Sequence, residues 1–254
     1  MKHALIIGAE KNSGLGIARK FLKEGWSVVI TSRDNNEIKK VAKDLEDEFK
    51  IKCYGFKYSS IDSHIDAPLL FEKIEKEGIK INSIVCVAAD LGRWMDPLTV
   101  DAKRFSDVLY TNVVGYFMVA REGVKHMIKY DCTKDATIVF IGSVNYLNAL
   151  HERCAYVASK GAIASMTKAL ALDFAKYCVR VNCLAPGAIV TDRYDELTDD
   201  EIKRRSEAIP LGQFSTKETI GENVYFLASK ASFPMTGAVV ISDGGSNSIM
   251  PGAF

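Results

Sequence analysis

"HALIIGAEKNSGLGIARKFLKEGWSVVITSRD", residues 3–34, decides the fold class. Two short apolar runs, at 4–7 and 28–31, flank a segment of helical period, and a glycine-rich turn joins the first run to that segment. The order is strand, turn, helix, strand.

Working outward, the unit repeats. "IKCYGFKY", "NSIVCVAA", "ATIVFIGS", "VRVNCLAP" and "GAVVIS" each follow an amphipathic stretch, which gives seven strands. The runs at 4–7, 28–31, 84–88, 138–142 and 181–184 are almost continuously apolar, as parallel strands covered on both faces must be. Right-handed crossovers then predict an α/β chain: a single doubly wound, Rossmann-type domain over 1–254 with a mostly parallel seven-stranded sheet. No linker, repeat or low-complexity tract interrupts it. The least regular stretch runs from about Ala185 to Pro210, and its charged "TDRYDELTDDEIKRR" reads either as a substrate lid at about 188–210 or as a solvated helix.

Composition narrows the partners. The 254 residues carry 33 basic and 32 acidic side chains, a formal charge of +1, and no run of like charge marks a nucleic-acid or membrane surface. No apolar stretch has the length of a membrane span, and "MKHALIIGAE" lacks the features of a signal peptide, so a cytoplasmic protein is expected. The six cysteines form no C-x-x-C pair and read as core residues in a reducing compartment. The four histidines fit no metal spacing, so no metal is expected.

The turn after the first strand, with Gly8, Gly14 and Gly16, suits close approach of backbone to a pyrophosphate at a helix N-terminus. The second strand ends on Ser32 and Arg33, where an acidic residue would bond the ribose 2′-OH of NAD; a small polar residue beside an arginine suits a 2′-phosphate instead. NADP(H) is therefore expected over NAD(H). Lys11 is either a second cation for the phosphate or a solvated loop lysine. Asp34 reads as the N-cap of the next helix.

Tyr156 and Lys160 stand four residues apart in "AYVASKGAIASMTKALALDFAKY", on one helix face. A phenol is a poor base near its ordinary pKa of ~10, and a neighbouring ammonium favours the phenolate, so such a pair can exchange a proton with an alcohol oxygen. Ser143, at the tip of "ATIVFIGSV", is either a turn residue or a hydroxyl that polarises a carbonyl.

With the glycine turn, "TNVVGYF", "IGSV", Tyr156-x-x-x-Lys160, "NCLAPGAIVT" and "ISDGG" in that order, the chain resembles the short-chain dehydrogenase/reductase family from about Ala4 to Gly245. The resemblance implies Tyr156 as general acid/base, Ser143 on the substrate oxygen, Lys160 supporting the tyrosine and bonding the nicotinamide ribose, and Asn112 holding a water on the proton path. It implies cofactor contacts at Gly8, Lys11, Ser13, Gly14, Leu15, Gly16, Ser32, Arg33, Ser59 and Ala88, with Pro186, Gly187, Ile189 and Thr191 beside the nicotinamide and pyrophosphate. Three departures stand out. Five residues separate Gly8 from Gly14 where the family has three; Cys86-Val87-Ala88-Ala89 replaces Asn-Asn-Ala-Gly; and Ser59 replaces an adenine-binding aspartate.

Three functions remain: an NADP(H)-dependent oxidoreductase acting on a carbonyl or secondary alcohol, an enoyl-thioester reductase suggested by the longer glycine turn, and a non-catalytic NADP(H) sensor. Enoyl reductases space tyrosine and lysine more widely, and a sensor has no need of the proton relay. Arg93, Trp94, Tyr146, His151, Arg193 and Tyr194 are the polar or aromatic candidates for a small-molecule substrate, with sugar, hydroxysteroid and 3-oxoacyl compounds all open. The apolar surplus on the Tyr156 helix at Ala162, Ser165, Met166, Ala169 and Phe174, with a tail ending in Ile249, Met250 and Phe254, predicts a homo-oligomer, dimer or tetramer.

Overall fold

The structure, a computed structural model, describes residues 1–93, 95–194 and 197–248. The elements alternate as expected: β1 (His3–Ile7), α1 (Asn12–Lys23), β2 (Ser27–Ser32), α2 (Asn35–Phe49), β3 (Cys53–Lys57), α3 (Ser63–Lys76) and β4 (Ser83–Cys86). There follow α4 (Ala102–Leu109), α5 (Gly115–Lys129), β5 (Thr137–Ile141), α6 (Cys154–Ala175), β6 (Arg180–Pro186), α7 (Asp199–Glu207), α8 (Lys217–Ala228) and β7 (Val239–Ser242). The strand order is β3-β2-β1-β4-β5-β6-β7, and each strand pairs in parallel with its neighbours.

Both faces of the five inner strands are covered, which is why these strands read as continuous apolar runs. Leu5 and Ile7 pack on one side with Ile84, Ile138 and Phe140 beneath Phe71 of α3, Tyr116 of α5 and Ile163 of α6. Their neighbours Ala4 and Ile6 point the other way, to Val28, Val85 and Val139 beneath Ile17 and Phe21 of α1 and Val224 of α8. Each such aliphatic side chain, fully buried, contributes about 1.5–3 kcal/mol relative to exposure. This two-sided core sets the strand ends firmly in place, and the loops leaving their carboxyl ends build the site.

One local expectation holds. Asp34 caps α2, its carboxylate accepting from Asn36 and Glu37 N–H at 2.8 and 2.9 Å. The insert carries a helix, α7, closed by a capping box between Thr198 and Glu201 and burying none of its residues. No helix among the described residues is long and apolar enough to cross a membrane.

Candidate active site

β1 and β4 are neighbours at the point where strand order reverses, so the loops that leave them diverge and open a crevice. A cavity of about 620 Å³ lies there, with Gly8, Ser32, Arg33, Ser59 and Ala88 among its walls. Gly8 has a φ of +85°, and a Cβ on it would fall 2.7 Å from the Ala88 Cβ. Only glycine meets both the conformation and the space.

The extra residues of the glycine turn do not lengthen a loop. α1 starts early, at Asn12, so Gly14 and Gly16 sit within its first turns. A Cβ on Gly14 would lie 1.9 Å from the Gly8 carbonyl oxygen, while Gly16 faces α8. Ser13 is buried and Leu15 half-buried in the same turns. No side chain caps the N-terminus of α1 and no acidic residue occupies its first turn, so its leading N–H groups are free to meet an anion. Lys11 is exposed and pairs with Asp192 at 3.3 Å. Asn12 joins it, donating through Nδ2 to Asp192 Oδ2 at 3.4 Å and accepting the Asp192 N–H at 3.3 Å. Lys11 and Asn12 thus tie the turn to the 188–210 insert.

On the other side of the crevice, Ser143 follows β5. Its Oγ accepts from the Asn145 N–H at 3.2 Å and donates to Asn145 Oδ1 at 2.9 Å. On α6, Tyr156 and Lys160 are both buried, 8% and 2% exposed. The Lys160 Nζ donates to the Ile141 carbonyl at 2.8 Å and lies 5.4 Å from the centre of the Tyr156 ring. Among the described residues no carboxylate is within ion-pair reach of it.

Asn112 lies in a π-helical turn, Tyr110–Val114, between α4 and α5, and is fully buried. Its Oδ1 accepts the Asp90 N–H at 2.7 Å, and its Nδ2 donates to the Asp90 carbonyl at 2.8 Å and to Ser159 Oγ at 2.9 Å. Ser159 in turn donates to the Tyr156 carbonyl at 2.6 Å. The side chain therefore locks the loop after β4 to the turn of α6 that carries Tyr156. The turn that presents this amide is a π-turn, a rare form that recurs at functional sites.

After β6, the Gly187 N–H donates to the Ser242 carbonyl at 3.0 Å, just past Pro186. Ile189 bridges to Ser215, and the Thr191 carbonyl accepts from Tyr194 N–H at 2.8 Å. This segment forms a wall that reaches the start of α1 through Asp192.

The substrate candidates are scattered. Arg93 lines the cavity that also holds Arg33. Tyr146 lines a separate cavity of about 450 Å³ against Gly161 and Lys168 of α6. The His151 side chain is 93% exposed, and Tyr194 packs on Phe214 with ring centres 4.9 Å apart. Trp94, the Arg193 side chain and the tail residues Ile249, Met250 and Phe254 lie outside the described residues.

A family model described as enoyl-(acyl carrier protein) reductase matches residues 8–247. The chain is 32% identical to the 3-oxoacyl-[acyl-carrier-protein] reductase of Rickettsia bellii over 244 residues, 95% of each chain. The chain belongs to the short-chain dehydrogenase/reductase family of oxidoreductases. Other members are similar along their whole length. The bovine 3-oxoacyl-[acyl-carrier-protein] reductase is 30% identical, with 96% of this chain and 97% of the bovine protein covered. The bovine L-fucose dehydrogenase is 29% identical, with 96% and 88% covered. Among solved structures, an actinorhodin polyketide ketoreductase described with NADPH superposes with a TM-score of 0.85 at 24% identity, covering 98% of both chains, and shares the fold.

Within this family the departures have local substitutes. Val87 and Ala88 N–H both donate to the Ile7 carbonyl, at 3.0 and 2.9 Å, so backbone alone ties β4 to β1 where asparagine side chains are missing. Ser59, itself lining the cavity, donates its N–H to Asp66 Oδ2 at 2.9 Å. Sequence reasoning missed Asp90 and Arg104, which both line the cavity, and Asp192. Each lies in a loop or at a helix start with no periodic pattern to announce it.

Proposed function

We propose that this short-chain dehydrogenase/reductase moves a hydride between NADP(H) and a carbonyl or secondary-alcohol carbon, with Ser143, Tyr156, Lys160 and Asn112 as its catalytic set. The observation that carries the reading is Lys160: an ammonium buried to 2% exposure, bonded to one backbone carbonyl and set beside a tyrosine ring. A buried charge with spare donors is costly unless something arrives to use them, and ribose hydroxyls are suited to do so.

The dinucleotide supplies the hydride when bound. Tyr156 gives its phenolic proton to the substrate oxygen in reduction and takes one back in oxidation. Ser143, held by Asn145, hydrogen-bonds the same oxygen. Asn112 keeps the loop after β4 and the Tyr156 turn in register. The backbone of Gly8 and the α1 turns holding Ser13, Gly14, Leu15 and Gly16 receive the pyrophosphate; Ser32 and Arg33 receive the 2′-phosphate; Ser59 and Ala88 flank adenosine. Pro186, Gly187, Ile189 and Thr191 line the nicotinamide end. A relative described as a ketoreductase with NADPH supports the cofactor, and the 3-oxoacyl reductases support a carbonyl substrate.

Following nicotinamide absorbance with an acetoacetyl thioester, L-fucose, a 3-ketosteroid and a crotonyl thioester tests this. Turnover of a carbonyl or alcohol is expected. Turnover of the crotonyl thioester alone would favour the enoyl reductase named by the family model, and NADPH binding with no turnover would favour a sensor.

The enzyme is further read as a homo-oligomer. On α6, Ser165, Ala169 and Leu172 are exposed while Met166 and Phe174 are half-buried, and Phe117 of α5 is exposed as well. An apolar face of this kind is suited to a symmetric partner. Light scattering is expected to give a dimer or tetramer; a 28.0 kDa species would refute it.

A further inference from the structure

The cavity proposed for the adenosine half contains a fixed anion, which is unexpected beside a polyanionic cofactor. Asp90 lies on the loop after β4 and Arg104 in the first turn of α4, and both line the cavity with Arg33. The two side chains pair fork to fork: Arg104 Nη1 bonds Asp90 Oδ2, and Nη2 bonds Oδ1 at 2.8 Å. Asp90 Oδ1 also accepts the Gly92 N–H at 2.9 Å, while Asn112 holds the Asp90 backbone at both N–H and carbonyl. The carboxylate cannot swing away. Arg104, then the Gly92 N–H and the charge of Arg33, hold its pKa below the usual aspartate range against its burial.

Arg33 thus feels two opposed demands. A 2′-phosphate needs its positive charge, and Asp90 draws on the same charge. Arg104 resolves the conflict by neutralising Asp90, and its planar fork does this bidentately where a lysine would act as a point charge. Resting on the NADP(H) reading above, we propose that Arg104 is a specificity-determining residue: by masking the Asp90 carboxylate it makes the cavity tolerant of the adenosine 2′-phosphate. Without it, the exposed carboxylate repels that phosphate but not the uncharged 2′-hydroxyl of NAD(H), which it can accept in a hydrogen bond.

The experiment measures dissociation constants for NADPH and NADH by calorimetry on the full chain, for the wild type, Arg104→Ala, Arg104→Lys, Asp90→Asn and the Asp90→Asn/Arg104→Ala double variant. Because the pair is part-exposed, 41% for Arg104 and 28% for Asp90, the effect is moderate. Arg104→Ala is expected to weaken NADPH about tenfold while NADH changes by less than about twofold, and added salt should shrink the difference. Adding Asp90→Asn should restore NADPH to within about threefold of wild type, Arg104→Lys should keep most of it, and Asp90→Asn alone should leave NADPH as tight or tighter.

Equal loss of NADPH and NADH in Arg104→Ala, or no rescue in the double variant, would overturn the proposal and leave the pair a loop brace. If Arg104→Ala does not fold, Asp90→Asn decides: a brace would weaken both cofactors, a masked charge would not. Failure of the underlying reading looks different, since a wild type with no preference for NADPH, and an Arg33→Ala variant equal to it, would show that no 2′-phosphate is read in this cavity.

Discussion

The two halves of the crevice are built by different means. The half outside β1 to β4 has a frame of backbone, with a glycine at positive φ, a helix start without a cap, and amide groups bonding to Thr31 and Ile7, and the side chains of Arg33, Asp90 and Arg104 line it. The half outside β5 to β7 is made of side chains: Ser143, Tyr156 and Lys160 are all buried, and Lys160 donates to the Ile141 carbonyl. Backbone geometry tolerates little change, because a Cβ at Gly14 has nowhere to go. Side-chain chemistry depends on a few atoms, and its surroundings are free to vary. On the function proposed above, the first half would be restricted to one cofactor class, while the second would offer one reaction to many substrates.

The sharpest way to break this contrast is to remove a single oxygen from the second half. Tyr156→Phe keeps the ring and its packing, so the variant is expected to fold and bind NADPH with unchanged affinity while kcat falls by about two orders of magnitude or more. Stopped-flow or steady-state kinetics on any accepted carbonyl checks it. Near-normal turnover would take Tyr156 out of the proton path and blur the difference between the two halves.

The next largest effect belongs to the first half. Arg33→Ala is expected to weaken NADPH by roughly 1.5–3 kcal/mol, the range for hydrogen bonds to a charged group, and to leave NADH nearly unaltered. It should not change kcat at saturating cofactor. A fall in kcat of similar size would mean that Arg33 acts across the crevice.

The contrast also accounts for what could be read from sequence. The β-α-β order, the glycine turn, the strand tip at Ser32 and Arg33, and the Tyr156-Lys160 spacing all follow from local period, and each sits on the element expected. The early start of α1 was not legible, because a helix beginning inside a glycine turn depends on the backbone fit of Gly14 against Gly8. Nor was the Asn112 clamp: its partners Asp90 and Ser159 are 22 and 47 residues away, and a π-turn leaves no trace in the apolar pattern. The substrate candidates came from loops, where residue type says little about direction. Tyr146 and His151 accordingly lie apart.

A smaller effect arises at the opposite, amino edge of the sheet, which neither half uses. His126 is buried, accepts the Ile81 N–H at 3.2 Å through Nε2, and faces Glu75 of α3 at 3.5 Å. Burial lowers its pKa below 6.5 even though Glu75 pulls the other way, and burial lowers that of His3 too. A lowered folded pKa means the unfolded chain binds more protons, so the stability these groups contribute is full above about pH 6.5 and declines as pH falls below it. Carboxylates such as Glu75 titrate lower and do not blur the window. Thermal melts are expected to drop by a few degrees between pH 7 and pH 5.5, and His126→Gln should flatten part of that slope. The pH profile of kcat should not follow it; if it does, the amino edge communicates with the site.

The smallest effect is expected where the two halves touch. Lys11 and Asn12 from the glycine turn meet Asp192 from the insert, but both charged side chains are more than half exposed, 63% and 56%. Exposed pairs of this kind contribute little, since water and salt screen them and ordering the side chains opposes them. If Lys11 serves as a second cation for the cofactor phosphates, Asp192 competes with them for it. Its removal should therefore help binding slightly: Asp192→Ala is expected to tighten NADPH by no more than about threefold at low salt, with no change at high salt and kcat intact. Calorimetry at two ionic strengths checks this. A tenfold loss of affinity, or a fall in kcat that salt does not relieve, would mean that this tie transmits the state of the insert to the cofactor side, and the two halves would have to be treated as one coupled unit.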